Sequence, residues 1–144
     1  MTPEQIAMVE STLAWARADM VEIAAEFYDR LFESEPELRS MFSVEPSEQQ
    51  RLFAEHLDTI AGGIRNYDTF VDETAELGRR HRTYGVEPRH YALAGPPLLA
   101  AIASALGPAW TCEVETAWLL AYNLIVEAMM AGAAEEQLHP VRPS

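Results

Sequence analysis

Apolar residues recur along this chain with the period of α-helices, and no segment shows sustained apolar–polar alternation between turn residues, so helices are predicted and strands are not. Thr2, Pro3 and Gln5 form a capping-box start, and Ile6, Val9, Leu13 and Ala16 follow on one face. Asp19 with Glu22 marks a second start, which turns Val21, Ala24, Tyr28, Leu31 and Phe32 inward. Ser34, Pro36 and Glu37 open a short third helix that closes near Phe42, and Glu45 with Pro46 marks a loop. Ser47 begins a longer helix carrying Phe53, Leu57, Ile60 and Ile64, with Gln49 one turn ahead of Phe53 on that face.

Asn66 and Asp68 break the chain before a helix whose stripe is Phe70, Thr74, Leu77, His81 and Tyr84, stopped at Gly85. Glu87 and Pro88 start the next, with Tyr91, Ala94, Leu98 and Ile102 inward. Pro96 and Pro97 remove two backbone donors inside it and should kink or split it. The last helix begins around Thr111 and runs through Val114, Trp118, Ala121, Ile125 and Ala128, and the same face projects onward to Glu135. The expectation is an all-α domain of about seven helices over residues 1–137, followed by a frayed tail, 138–144.

Composition narrows the partners. A formal charge of −13, from 23 acidic and 10 basic residues, opposes binding to nucleic acid or an anionic membrane through a basic surface. The single Cys112 excludes an internal disulfide and reads as an inert packing residue. No stretch approaches roughly twenty continuous apolar residues, and the first residues lack a signal-peptide pattern, so a cytoplasmic chain is expected.

His81 carries the most informative chemistry. An imidazole on a buried stripe near a glycine stop can offer a neutral nitrogen to a metal, although a core histidine bonded to backbone fits the same local pattern. Two ExxH strings, Glu87 to His90 and Glu136 to His139, raise a carboxylate-bridged di-iron bundle as a rival. Pro88 inside the first and Pro140 against the second oppose it, because bundle ligands sit mid-helix.

Three runs point further: FYDRLFESEPELRSMF over 27–42, LGRRHRTYGVEPRHY over 77–91 and AWLLAY over 117–122. Across nearly the whole chain they resemble the bacterial single-domain haemoglobins and the globin part of flavohaemoglobins. The resemblance implies a three-over-three globin fold around haem b with His81 as the iron ligand. Without a CxxCH string the haem would be held non-covalently. It also implies Tyr28 above the iron, Phe42 packed on the porphyrin, Gln49, 32 residues before His81, as the distal glutamine, and Phe53 over the haem. Tyr91, ten residues after His81, and Glu135, 17 after Trp118, complete a proximal triad, while Val86 and Ala94 line the pocket.

Arg80, or Arg79, could pair with a haem propionate. Gln50 competes with Gln49 but stands three residues after Ser47, a capping-box position. Met41 reads as filler beside Phe42, and Leu52 occupies a place where relatives often carry a basic residue. The loop from Phe42 to Gln49 is shorter than in typical relatives. The function so implied is reversible binding of O2, NO or CO at ferrous iron by a monomer or homodimer. Oxidation of NO to nitrate would draw electrons from a separate flavin reductase, since no Gly-rich dinucleotide fingerprint occurs. An O2 carrier or store, or a haem-based redox sensor, is the alternative.

Overall fold

The computed structural model describes residues 1–42 and 44–138, with side chains through Ala134, and carries the chain on six α-helices. These are α1 (Pro3–Ala16), α2 (Met20–Ser34), α3 (Pro46–Gly62), α4 (Tyr67–Thr83), α5 (Pro88–Leu106) and α6 (Cys112–Leu138), and no strand occurs among the described residues. Short 3-10 turns span Arg17–Asp19, Pro36–Met41 and Gly107–Ala109. The expected third helix is the second of these turns, which is why six helices stand where the pattern reads about seven. Ser34 ends α2 instead of opening that turn, its hydroxyl donating to the carbonyls of Arg30 and Leu31 at 3.1 Å each.

Helix starts follow from caps. Thr2 Oγ1 accepts the Gln5 amide at 3.1 Å while Gln5 Oε1 accepts that of Thr2 at 2.8 Å. Helix α3 begins one residue before Ser47, because Glu45 is the N-cap and accepts the Glu48 amide at 3.3 Å. Pro46 fills the first position, where a missing N–H costs nothing. Gln50 therefore holds no capping role. At α5, His90 Nδ1 accepts the Glu87 amide at 2.8 Å, so this ExxH string is a capping box with histidine in the place of glutamate. The other string ends at His139, outside the described residues.

Several expected burials are corrected. Val21 is 49% exposed on the outer flank of α2, and Tyr84 is 67% exposed because the chain leaves the helical path at Gly85, where φ is 91°. Cys112 is exposed at the start of α6. Pro96 and Pro97 do not split α5, which runs unbroken around them. Pro96 is exposed and Pro97 half-exposed, which keeps the interruption off the core face. Segments Pro88–Ala109 and Cys112–Ala134 are long and apolar enough, by length and composition, to match a membrane span, which counting continuous apolar residues misses. In the fold α5 packs along α2 and α6 along α4.

A buried polar link ties α1 to α6: Trp118 Nε1 donates to Thr12 Oγ1 at 2.8 Å, and the Thr12 hydroxyl donates to the Met8 carbonyl at 2.6 Å. Replacing Trp118 by Phe removes this link and part of a core ring, and urea unfolding should show a loss of about 2 kcal/mol. A loss below about 0.5 kcal/mol would mean that the link carries no stability.

Candidate functional site

Two glycines set the position of His81. A Cβ built on Gly78 would lie 2.0 Å from the Met129 carbonyl oxygen, and one on Gly132 would lie 2.1 Å from that of Ala75. At this crossing the backbones of α4 and α6 touch, so one turn later His81 is held at a fixed height against α6. The sequence reading missed the crossing, although glycine inside two helices is its usual signal.

His81 Nδ1 lies 2.9 Å from the Leu77 carbonyl. A carbonyl only accepts, so Nδ1 carries the proton and Nε2 keeps its lone pair. Burial holds the imidazole below its ordinary pKa, the Leu77 bond opposes this, and the nearby His56 and Arg80 lower it further. His81 is therefore neutral at neutral pH, its ring oriented and its far nitrogen able to bind a metal.

Helix α3 crosses α2 so that residues 21 apart meet: Gln49 Nε2 donates to Tyr28 Oη at 3.1 Å. The phenol oxygen accepts, which leaves the hydroxyl proton uncommitted. Tyr28 is buried, and burial raises its pKa to about 12 against the opposing bond from Gln49, so it stays a neutral donor. Aromatic rings surround it. Tyr28 meets Phe42 at 5.3 Å and Phe53 at 5.5 Å between centroids, both edge-on, and Phe53 stacks on Phe27 at 4.6 Å. The structure thus brings Tyr28, Phe42, Gln49 and Phe53 into one cluster.

Tyr91 is half-buried on α5, and its carbonyl accepts the Tyr122 hydroxyl at 2.5 Å. Burial raises the pKa of both phenols. Tyr122 was not singled out from sequence, where it reads as one more apolar position of α6. The backbone of Glu135 belongs to α6, but its side chain lies outside the described residues. Val86 and Ala94 are half-buried, and the Val86 amide donates to the His81 carbonyl at 3.1 Å. Met41 is half-buried against the core beside Phe42. Arg79 pairs with Glu76 at 2.9 Å, whereas Arg80 is exposed at a cleft shared with His56.

Among the described residues, no group of three or more His, Cys, Asp or Glu side chains gathers to hold a bare metal ion. The donor set fits a haem instead: one neutral imidazole with a free nitrogen, an aromatic wall, and a buried hydroxyl with a free proton.

The globin family model matches residues 25–129. The chain is 31% identical over 141 residues to the flavohemoprotein of Bacillus subtilis, covering 92% of this chain and 35% of that one. It is 33% identical over 117 residues to the flavohemoprotein of Rhizobium meliloti, covering 79% and 29%. It therefore spans about a third of the length of these flavohemoproteins. Neuroglobin of Danio rerio is 32% identical over 126 residues, covering 78% of this chain and 79% of its own. Among solved structures, an engineered carbene transferase from a Rhodothermus marinus protein described as a nitric oxide dioxygenase superposes with a TM-score of 0.86 at 27% identity, covering 96% of both chains. A bacterial globin from Campylobacter jejuni superposes at 0.83 with 26% identity, covering 93% and 97%.

The helical fold and these similarities define a haem-binding class of protein. The chain belongs to the globin family, in its three-over-three arrangement of helices.

Proposed function

We propose that this globin holds haem b non-covalently through His81 Nε2, binds O2, NO or CO reversibly, and converts NO to nitrate when a separate flavin reductase supplies electrons. The observation that carries the proposal is the bond from Gln49 to the Tyr28 oxygen, which leaves a buried phenol proton free. The haem, when bound, supplies an iron that takes a diatomic gas and changes oxidation state. Tyr28 would offer its hydroxyl proton as a hydrogen-bond donor to a gas held in this pocket, and Gln49 would hold the phenol for that task. Phe42 and Phe53 keep water away, which strengthens the bond by lowering the local dielectric. On the other face, the Leu77 carbonyl holds the His81 proton and enriches the far nitrogen.

The overall conversion combines one NO, one O2 and one electron into nitrate. The cytoplasm is the proposed compartment, in keeping with an acidic chain that has one cysteine. Mixing the O2-loaded ferrous protein with NO in a stopped-flow instrument should give rapid haem oxidation with one nitrate per haem. Slow oxidation without nitrate would overturn the enzymatic reading in favour of a carrier or store. Tyr28→Phe should keep its haem and release O2 about ten- to a hundredfold faster, the span expected for one hydrogen bond to a charged group. Release at the parent's rate would remove Tyr28 from this role.

A further inference from the structure

Helices α5 and α6 hold the longest uncharged stretches of the chain. No Asp, Glu, Lys or Arg occurs from 91 to 112 or from 116 to 126, whereas outside these two helices and the turn between them no stretch free of such residues exceeds six. The apolar windows of Pro88–Ala109 and Cys112–Ala134 have a mean hydropathy of 1.4, yet only 28% of each is buried. Apolar side chains therefore stay at the surface of a chain whose formal charge is −13.

The two helices lie side by side, since the Tyr122 hydroxyl reaches the Tyr91 carbonyl at 2.5 Å and a Cβ on Gly95 would lie 3.0 Å from the Tyr122 ring. Helical spacing about that seam gives the outer residues. Leu99 follows Gly95 by four and is half-buried, while Ala92 and Pro96 stand further out and are exposed. On α6, Leu119 precedes Tyr122 by three and is 46% exposed, and Val126 follows Tyr122 by four and is half-buried. These residues make an uncharged strip along the seam, with Glu113, Glu115 and Glu127 exposed at its margins. Over the 19 residues of α5, a strip two helices wide measures about 28 Å by about 20 Å, or roughly 550 Å².

We infer that this strip is an interface between two copies of the chain, α5 and α6 of one copy packing on α5 and α6 of the other about a twofold axis. Two copies of charge −13 repel wherever their acidic surfaces meet, and the strip lets them approach with the nearest acids held at the rim, in water. Pairing two such strips buries roughly 1,100 Å², at the lower end of the range for specific interfaces, which fits a dimer of micromolar strength. An anionic bilayer is the poorer occupant, because its charge extends past the strip and repels the acids on every side.

Sedimentation velocity of the full chain from about 5 to about 500 µM tests this. The parent should pass from one copy of 16.1 kDa to two across that range, and added salt should favour the pair because it screens the repulsion. Leu119→Glu places two acids in the joint and should weaken association about tenfold or more, and Ala92→Glu should do the same from α5. Val21→Glu makes the same charge change at an exposed position of α2 and should stay within about twofold of the parent. Circular dichroism checks that each variant folds, and the two strip variants on different helices keep the test open if one does not. A parent that stays single throughout would overturn the interface, and so would strip variants that pair as tightly as the parent or no more weakly than Val21→Glu. Pairs that salt loosens would rest on ion pairs instead, and a single copy that co-sediments with phosphatidylcholine vesicles would make the strip a lipid contact; either result overturns the inference.

Discussion

Gly78→Ala is expected to cost about 3 kcal/mol of folding stability or more, at the upper end of what overpacking one methyl does. The added carbon would lie 2.0 Å from the Met129 carbonyl oxygen and 2.6 Å from its carbonyl carbon and Cα. These are backbone atoms of a helix, so no side chain can rotate away, and α4 must separate from α6 along the whole contact. A control is built into the fold. At Gly62 a new Cβ would meet only Leu13 Cδ2 at 3.6 Å, so Gly62→Ala should fall within about 1 kcal/mol of the parent by urea unfolding. Because His81 follows Gly78 by one turn, Gly78→Ala should also weaken haem retention in whatever fraction folds. Equal stability of the two variants would show that the α4–α6 crossing yields easily.

The second large effect is at the imidazole. His81→Ala should lose haem on gel filtration while the apoprotein unfolds within about 2 kcal/mol of the parent, the scale of one removed buried hydrogen bond with a small cavity. The separation follows from the geometry. His81 contributes to the apoprotein only its bond to Leu77 and its own packing, whereas it would contribute a protein-to-iron bond to the holoprotein. In His81→Gly, added imidazole should restore haem binding, because the missing group can then be supplied from solution. Retention of haem by His81→Ala with an unchanged ferrous spectrum would move the ligand to another imidazole, His56 being one that faces the α3–α4 cleft.

Both predictions concern α4, yet the sequence discloses their bases unequally. His81 stands on a stripe with Phe70, Thr74 and Leu77, and those three are buried as the helical period requires. Tyr84 belongs to the same numerical stripe and is exposed, because periodicity ends with the helix and the pattern does not say where. The proline pair misled in the opposite sense: it costs α5 two donors, but continuous packing against α2 keeps the helix whole. The cap of α3 is Glu45, two residues before the serine that looked the better candidate, since an N-cap needs an acceptor and either residue has one.

Helix type, most helix starts and most of the inward faces were determined by the sequence alone, because capping and burial period act within a few residues of chain. The pairing of Gln49 with Tyr28, the contact of Gly78 with Met129 and the facing of His56 with Arg80 were decided only by tertiary structure. Each joins residues on different helices. Their meeting depends on crossing angle and depth, which are set by side-chain volumes along the whole contact and leave no mark at the two positions themselves.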